Sequence, residues 1–199
     1  VKIAKDSCEN KLMDYESLGV DAQAVALALA VKEIEQQASQ VGWDHPPTVY
    51  ALVKAKQLLA DPQLPEQFRG HLESQIQVNE EYLVAVVQED LSTPQILETL
   101  EQLAWPEEVC GMAVSLERVS VPPEVEAQAP ADSEAAATFF ANHESREEIR
   151  ICAGALRTGQ TWCAIRSRAH DSEESVVEGS EMIPDLSQAL LATFAPEEE

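Results

Sequence analysis

Basic residues are scarce in this chain: 13 Lys and Arg stand against 36 Asp and Glu, a formal charge of -23. That deficit argues against nucleic acid as the main partner, because phosphate binding draws its affinity from clustered Lys and Arg that release counterions. It argues equally against anionic lipid surfaces, so no membrane partner is expected. Glycine is scarce too, with seven residues. The phosphate-cradling patterns are missing, neither G-x-x-x-x-G-K before Ser or Thr nor G-x-G-x-x-G after a strand. G-x-S-x-G, H-E-x-x-H and paired C-x-x-C are absent as well, so no catalytic residue is assigned. Four cysteines, at 8, 110, 152 and 163, are too few and too scattered for a disulfide framework or a zinc cage. They read as reduced thiols of a cytoplasmic protein. His45, His71, His143 and His170 share no ligand spacing, so neither a metal nor a cofactor is expected. The best apolar run, Ala24 to Val31, falls well short of the roughly 20 residues that cross a bilayer. Val1-Lys-Ile-Ala-Lys-Asp6 meets charge before any apolar core, so no signal peptide is read.

What is present is an ordinary globular composition, 45% hydrophobic and 25% charged over 199 residues. The length suits one domain with a core able to fold unaided. Charge is segregated along it. All six Lys lie within residues 1–56, and the rest of the chain carries seven Arg against 28 acids. Inside that acidic part, Arg146 to His170 holds five Arg and two Glu, a basic island followed by nine acids and no base in Asp171 to Glu199.

The periodicity predicts an α+β fold, with N-terminal helices, then an antiparallel meander of three or four strands covered by helices, and a closing C-terminal helix. The helical part covers about 21–105 and the sheet part about 111–194. Asp21 caps a first helix ending near Gly42. Asp44-His-Pro-Pro47 opens a second, carrying Val49, Leu52, Val53, Leu58 and Leu59. Pro65 opens a third, running to about Asp90 unless Asn79 breaks it, and Thr93-Pro94 a fourth, through Ile96 and Leu100. Met112 to Val121 alternates as a strand. Residues 122–133, acidic and rich in Ala and Pro, read as a mobile loop, and Ser133 as the cap of a short helix. Two strands, about 148–157 and 161–170, flank Thr158-Gly159, the clearest hairpin signal. A short strand is expected at 175–178, and Pro184 opens the last helix.

The hairpin carries the sharpest candidate site. Turning at Thr158-Gly159 with Leu156 opposite Thr161, it sets Ala155 opposite Trp162, Ile151 opposite Arg166 and Ile149 opposite Arg168. Trp162, Arg166, Arg168 and His170 then share one face. Arg forks bind carboxylate or phosphate with two bonds, and a Trp alongside supports a planar ligand. Arg150 and Glu117 join the set as neighbours. The competing reading is that Glu117, Glu147, Glu148 and the acidic stretch from Asp171 neutralise these arginines internally. His170-Asp171 reads as a surface turn rather than a catalytic dyad. Cys152 and Cys163 come out as diagonal neighbours on one face, too poorly aligned for an unstrained disulfide. A second candidate is the cluster Trp43, Pro46, Pro47 and Tyr50, which either binds a partner or fixes a loop onto the core.

These residues also carry a resemblance. Trp43-Asp-x-Pro-Pro-x-x-Tyr-Ala-Leu-Val53, Trp105-Pro-Glu-x-Val109, Glu117-Arg118 before Pro122-Pro123, Arg146-Glu-x-Ile-Arg150, Leu156-Arg157-x-Gly159, Cys163-Ala-x-Arg166-x-Arg168-x-His170-Asp171 and Ile183-Pro184-x-Leu186 resemble a family of conserved actinobacterial proteins of this length whose function is unknown. The resemblance spans Asp21 to Phe194 and implies a small intracellular bacterial protein. It brings no catalytic or binding residues. The expected function is therefore a non-enzymatic protein-binding or adaptor module with an unknown protein partner, with homodimerisation open. The alternative is an anionic small-molecule site, or an enzyme, on the Arg166, Arg168 and His170 strand face.

Overall fold

The computed structural model describes residues 21–91, 96, 100 and 103–195. The expectations at residues 1–6, at Cys8, at Thr93-Pro94 and at the terminal glutamates lie outside them. Helix α1 spans Ala22–Val41. Asp21 caps it, its carboxylate accepting from the Gln23 N–H at 2.9 Å, and Gly42 ends it. Ala26, Leu27, Ala30, Val31 and Ile34 form its buried stripe.

The next two elements correct the sequence reading. Thr48–Lys54 is strand β1, not the body of a helix, and only Ala55–Ala60 that follows is helical (α2). Helix α3, Glu66–Val78, stops at Asn79, and Leu83–Val87 is strand β2. The cause is burial. β1 lies inside the sheet with Val49 to Leu52 all buried, so its sequence is a continuous apolar run without the alternation that marks a half-exposed strand. Its β-branched and aromatic Thr48, Val49 and Tyr50 suit the pleat. Asn79 ends α3 by turning its side chain back on the chain, where Oδ1 accepts from the Glu81 N–H at 2.9 Å.

Strand β3 is Gly111–Ser120. The 122–133 stretch contains a one-turn helix α4, Pro123–Glu126, with Val125 buried, and Asp132 rather than Ser133 caps α5, Ser133–Asn142. Strands β4, Glu147–Leu156, and β5, Thr161–Ser167, form the hairpin, β6 is Val177–Gly179, and α6, Pro184–Ala192, closes the described chain.

The strands form one six-stranded antiparallel sheet in the order β2-β1-β3-β4-β5-β6, two more than the largest number expected. α1 covers one face, where Leu27, Val31 and Ile34 meet Tyr50, Leu52, Ala113, Cys152 and Ala164. Ile96, Leu100 and α6 cover the other, against Val49, Met112, Val114, Ile151, Ala153 and Cys163. α2 and α3 pack beside them around Ala55, Leu72 and Tyr82. Gly154 lets α1 come close: a Cβ there would sit 2.9 Å from Val31 Cγ2 and 3.0 Å from Leu27 Cδ1. No helix among the described residues is long and apolar enough to cross a membrane.

The hairpin register differs by one residue from the expected one. The loop is Arg157-Thr158-Gly159, with Gly159 at φ 98° and its N–H bonded to the Leu156 carbonyl at 2.9 Å. A three-residue loop ending in a left-handed glycine is a preferred hairpin connection. Ala155 therefore faces Thr161, Gly154 faces Trp162 and Arg150 faces Arg166. The slip also sends Cys152 and Cys163 to opposite faces, one under α1 and the other under α6, instead of making them neighbours.

Candidate functional site

Alternation along β3, β4 and β5 places Glu117, Arg150 and Arg166 on the α1 face, at the end of the sheet where α1 finishes. Leu27 and Val31 lie over Gly154, and Glu35, one turn beyond Val31 on the same stripe, is buried with them. Its carboxylate meets Arg166. The Nη2 of Arg166 donates to Glu35 Oε2 at 2.9 Å and Nε to Oε1, with both side chains at most 5% exposed. Arg166 Nη1 donates to Asp171 Oδ1 at 3.1 Å. These bonds, Glu35 first, hold the Arg166 guanidinium more firmly charged than usual.

Residues 42–46 form a strap across this cluster. The Trp43 ring stacks on Arg150, whose Cζ lies 4.3 Å from the ring centroid, and reaches Arg168 at 5.5 Å. Its Nε1–H donates to Asp171 Oδ2 at 2.9 Å. Asp44, at φ 69°, is in the left-handed region that Asp tolerates better than most residues. Its two carboxylate oxygens accept from Arg168 Nη1 and Nη2, each at 2.8 Å, and its N–H donates to Glu117 Oε2 at 2.9 Å. Asp44 is thus a clasp for Arg168 and not the helix cap expected. Glu148 Oε2 takes a further 2.8 Å bond from Arg168 Nη1. Arg168 holds the Asp44 carboxyl below its ordinary range, and the Trp43 indole, followed by Arg166, does the same for Asp171.

The fold brings Arg150, Arg166, Arg168 and Glu117 together, and separates Trp162 and His170 from them. Trp162 lies beyond Ala164 on the same strand, packed in the α1-face core, with Nε1 buried and unpartnered among the described residues. The aromatic plane over the guanidinium groups is Trp43 instead. His170 is exposed in the turn after β5, and the Asp171 carboxylate serves Trp43 and Arg166 rather than the imidazole. The cluster of Trp43, Pro46, Pro47 and Tyr50 disperses in role: Tyr50 is buried in the sheet and Trp43 is spent on the arginines. Sequence reasoning missed Glu35. Its signal was available, an acid at the fourth position after Val31 and the eighth after Leu27, on an otherwise apolar stripe.

Arg150 is only 2% exposed. Its Nη2 donates to the Gly42 carbonyl and, at 3.3 Å, to Glu117 Oε1. Its Nη1 is buried with no partner among the described residues. A cavity of about 150 Å³ beside it is lined by α1, the strap, β1 and β3. Burial raises the thiols of Cys110, Cys152 and Cys163, that of Cys152 to about 12, so none is poised as a nucleophile. No group of three His, Cys, Asp or Glu able to hold a metal occurs among the described residues.

These features define an α+β protein in which Arg150, Arg166 and Arg168 of the basic island meet carboxylates from five different segments. The chain belongs to the PPA1309-like protein family, whose model matches residues 27–195. No curated protein and no solved structure matches it.

Proposed function

We infer that the protein is a non-catalytic binding module that takes an extended, basic-flanked segment of another protein onto the outer edge of β2. The observation that carries this reading is the composition of that edge. Among the described residues β2 ends the sheet, and Val86 and Val87 on it are 40% and 49% exposed. The Gln88 N–H bonds to Val49 of β1, so alternation turns the N–H and C=O of Val87, Ala85 and Leu83 outward. Edge strands usually carry a charge or proline against unwanted pairing. Leu83-Val-Ala-Val-Val87 carries neither, while β6 at the opposite edge is three residues long and contains Glu178.

Charge selects the partner. Glu80 and Glu81, which pair with Lys56 and Lys54, precede the strand, and Glu89 and Asp90 follow it. Antiparallel pairing with a second copy, centred on Ala85, would set Glu81 against Glu89 and Glu80 against Asp90, and like charges across a ladder are unfavourable. A segment with Lys or Arg at both ends of an apolar stretch is matched instead. The anionic small-molecule reading of the Arg166, Arg168 and His170 face has less support, since Arg166 and Arg168 already hold two carboxylates each. Buried free thiols and the family resemblance support an intracellular, bacterial setting.

The test is an NMR titration with a synthetic peptide of alternating valine and threonine flanked by lysines, beside a glutamate-flanked control. Shifts confined to the Leu83–Val87 amides, weakened by salt and abolished by Val87→Pro, are expected, because proline removes an outward N–H that an edge strand does not need for its own sheet. Shifts elsewhere, or equal response to the acidic control, would overturn the reading.

A further inference from the structure

We propose that Arg150 anchors a site for a small aliphatic monocarboxylate in the cavity beneath the 42–46 strap. This goes beyond the edge-strand reading and rests on different residues. The three arginines of the cluster are unequally neutralised. Arg166 holds Glu35 and Asp171, and Arg168 holds Asp44 and Glu148. Arg150 holds one carboxylate, Glu117, through a single long contact at 3.3 Å. It is also the most buried of the three. Its Nη1 has no partner among the described residues, and a buried charged donor is costly to leave unbonded. A carboxylate is the planar acceptor that a guanidinium edge fits.

The cavity limits what can carry that carboxylate. Its volume of about 150 Å³ corresponds to about five water-sized groups at ~30 Å³ each. Ala38 and Val41 of α1 and Tyr50 of β1 are its apolar lining, and Thr48 and Ser115 stand at its polar side. A chain of two to four carbons therefore fits better than a sugar or a nucleotide. Glu117 lines the same space and supplies a fixed negative charge. A monocarboxylate adds one negative charge beside the Arg150–Glu117 pair, with His45 the other basic residue on the lining, whereas phosphate or a dicarboxylate adds a second charge against Glu117.

The experiment is a ¹H–¹⁵N titration of the whole chain with acetate, propionate and butyrate at constant ionic strength, with chloride and inorganic phosphate as controls. The readouts are the Trp43 indole N–H and the amides of Thr48 and Ser115. Saturable shifts in the millimolar range, tightening at least several-fold from acetate to propionate or butyrate, are expected, with none from phosphate. Ala38→Leu fills the cavity from α1 without touching any arginine and should weaken binding at least tenfold. Arg150→Lys keeps the charge and loses the planar fork, and should weaken it similarly if the variant folds. No saturation with any of the three acids, an equal response to phosphate, or undiminished binding in Ala38→Leu would each overturn the proposal.

Discussion

Arg150 and Arg166 stand directly opposite each other across β4 and β5, on the same face of the sheet. Two like charges in that relationship repel, and the fold accommodates them by bringing each its own anion. Glu35 descends from α1 onto Arg166, while Glu117 approaches Arg150 from β3 and Trp43 spreads its ring over the same guanidinium.

Removing one member of the buried pair should therefore be severe. Glu35→Ala leaves the Arg166 charge buried without its main partner and should cost about 3–5 kcal/mol. The double variant Glu35→Leu with Arg166→Met removes both charges and should recover most of that loss. Urea unfolding of the two proteins decides it. Equal destabilisation of both would mean that the ion pair itself, and not the orphaned charge, sets the cost.

Acid should loosen the strap first. Asp171 is held below its ordinary range by the Trp43 indole and by Arg166, and Asp44 by Arg168. Both are depressed carboxyls, so their contribution is fully present above the unfolded aspartate value of about 3.9 and is lost as pH falls through the lower folded values. Asp171→Asn should flatten the fall in stability below pH ~4. Trp43 fluorescence, read in a variant in which Trp105 and Trp162 are phenylalanine, follows the strap directly.

Two glycines should fail for different reasons. At Gly159, φ is 98° and nothing lies within 4 Å of the place a Cβ would take, so Gly159→Ala should cost about 1–2 kcal/mol through backbone conformation alone. Gly159→Asn should recover part of it, since Asn tolerates the left-handed region. At Gly154 the obstacle is contact with Val31 and Leu27, so Gly154→Ala should cost about 1–3 kcal/mol by overpacking, and Val31→Ala in the same chain should relieve it. Thermal melts of the four proteins separate the two mechanisms.

The thiols under the sheet should be inert. Burial pushes Cys152 up to about 12 and raises Cys163, and the two lie on opposite faces. Iodoacetamide at pH 8 should leave both unlabelled in the native protein and label both in urea, as read by peptide mass spectrometry. Formation of a Cys152–Cys163 disulfide in native protein under mild oxidant would contradict the register.

Much of the architecture was legible because its signals are local. Asp21 and Gly42 bound α1, Pro184 opens α6, and Gly159 marks the hairpin, each through backbone chemistry that needs no distant neighbour. β1 and β2 were not legible as strands, β2 because its five apolar residues run on without alternation and β1 because of its burial. A strand covered on both faces loses its alternation, and Val49 to Leu52 are buried only because α1 and the helix bearing Ile96 and Leu100 arrive from other parts of the chain. The candidate site was legible in part. Arg150, Arg166, Arg168 and Glu117 are brought together, whereas Trp43 takes the place given to Trp162.

The sequence alone determined that this chain forms mixed helices and an antiparallel sheet, carries a large negative charge, and concentrates arginine in one hairpin. Those properties follow from composition and from periodicity within single elements. Only the tertiary structure decided whether the arginines are free. Their neutralisation depends on Glu35 and Asp44, more than 100 residues earlier in the chain, and on a hairpin register set by one glycine. Coulombic pairing acts across space rather than along the chain, so it becomes visible only when α1, the strap and the sheet are assembled.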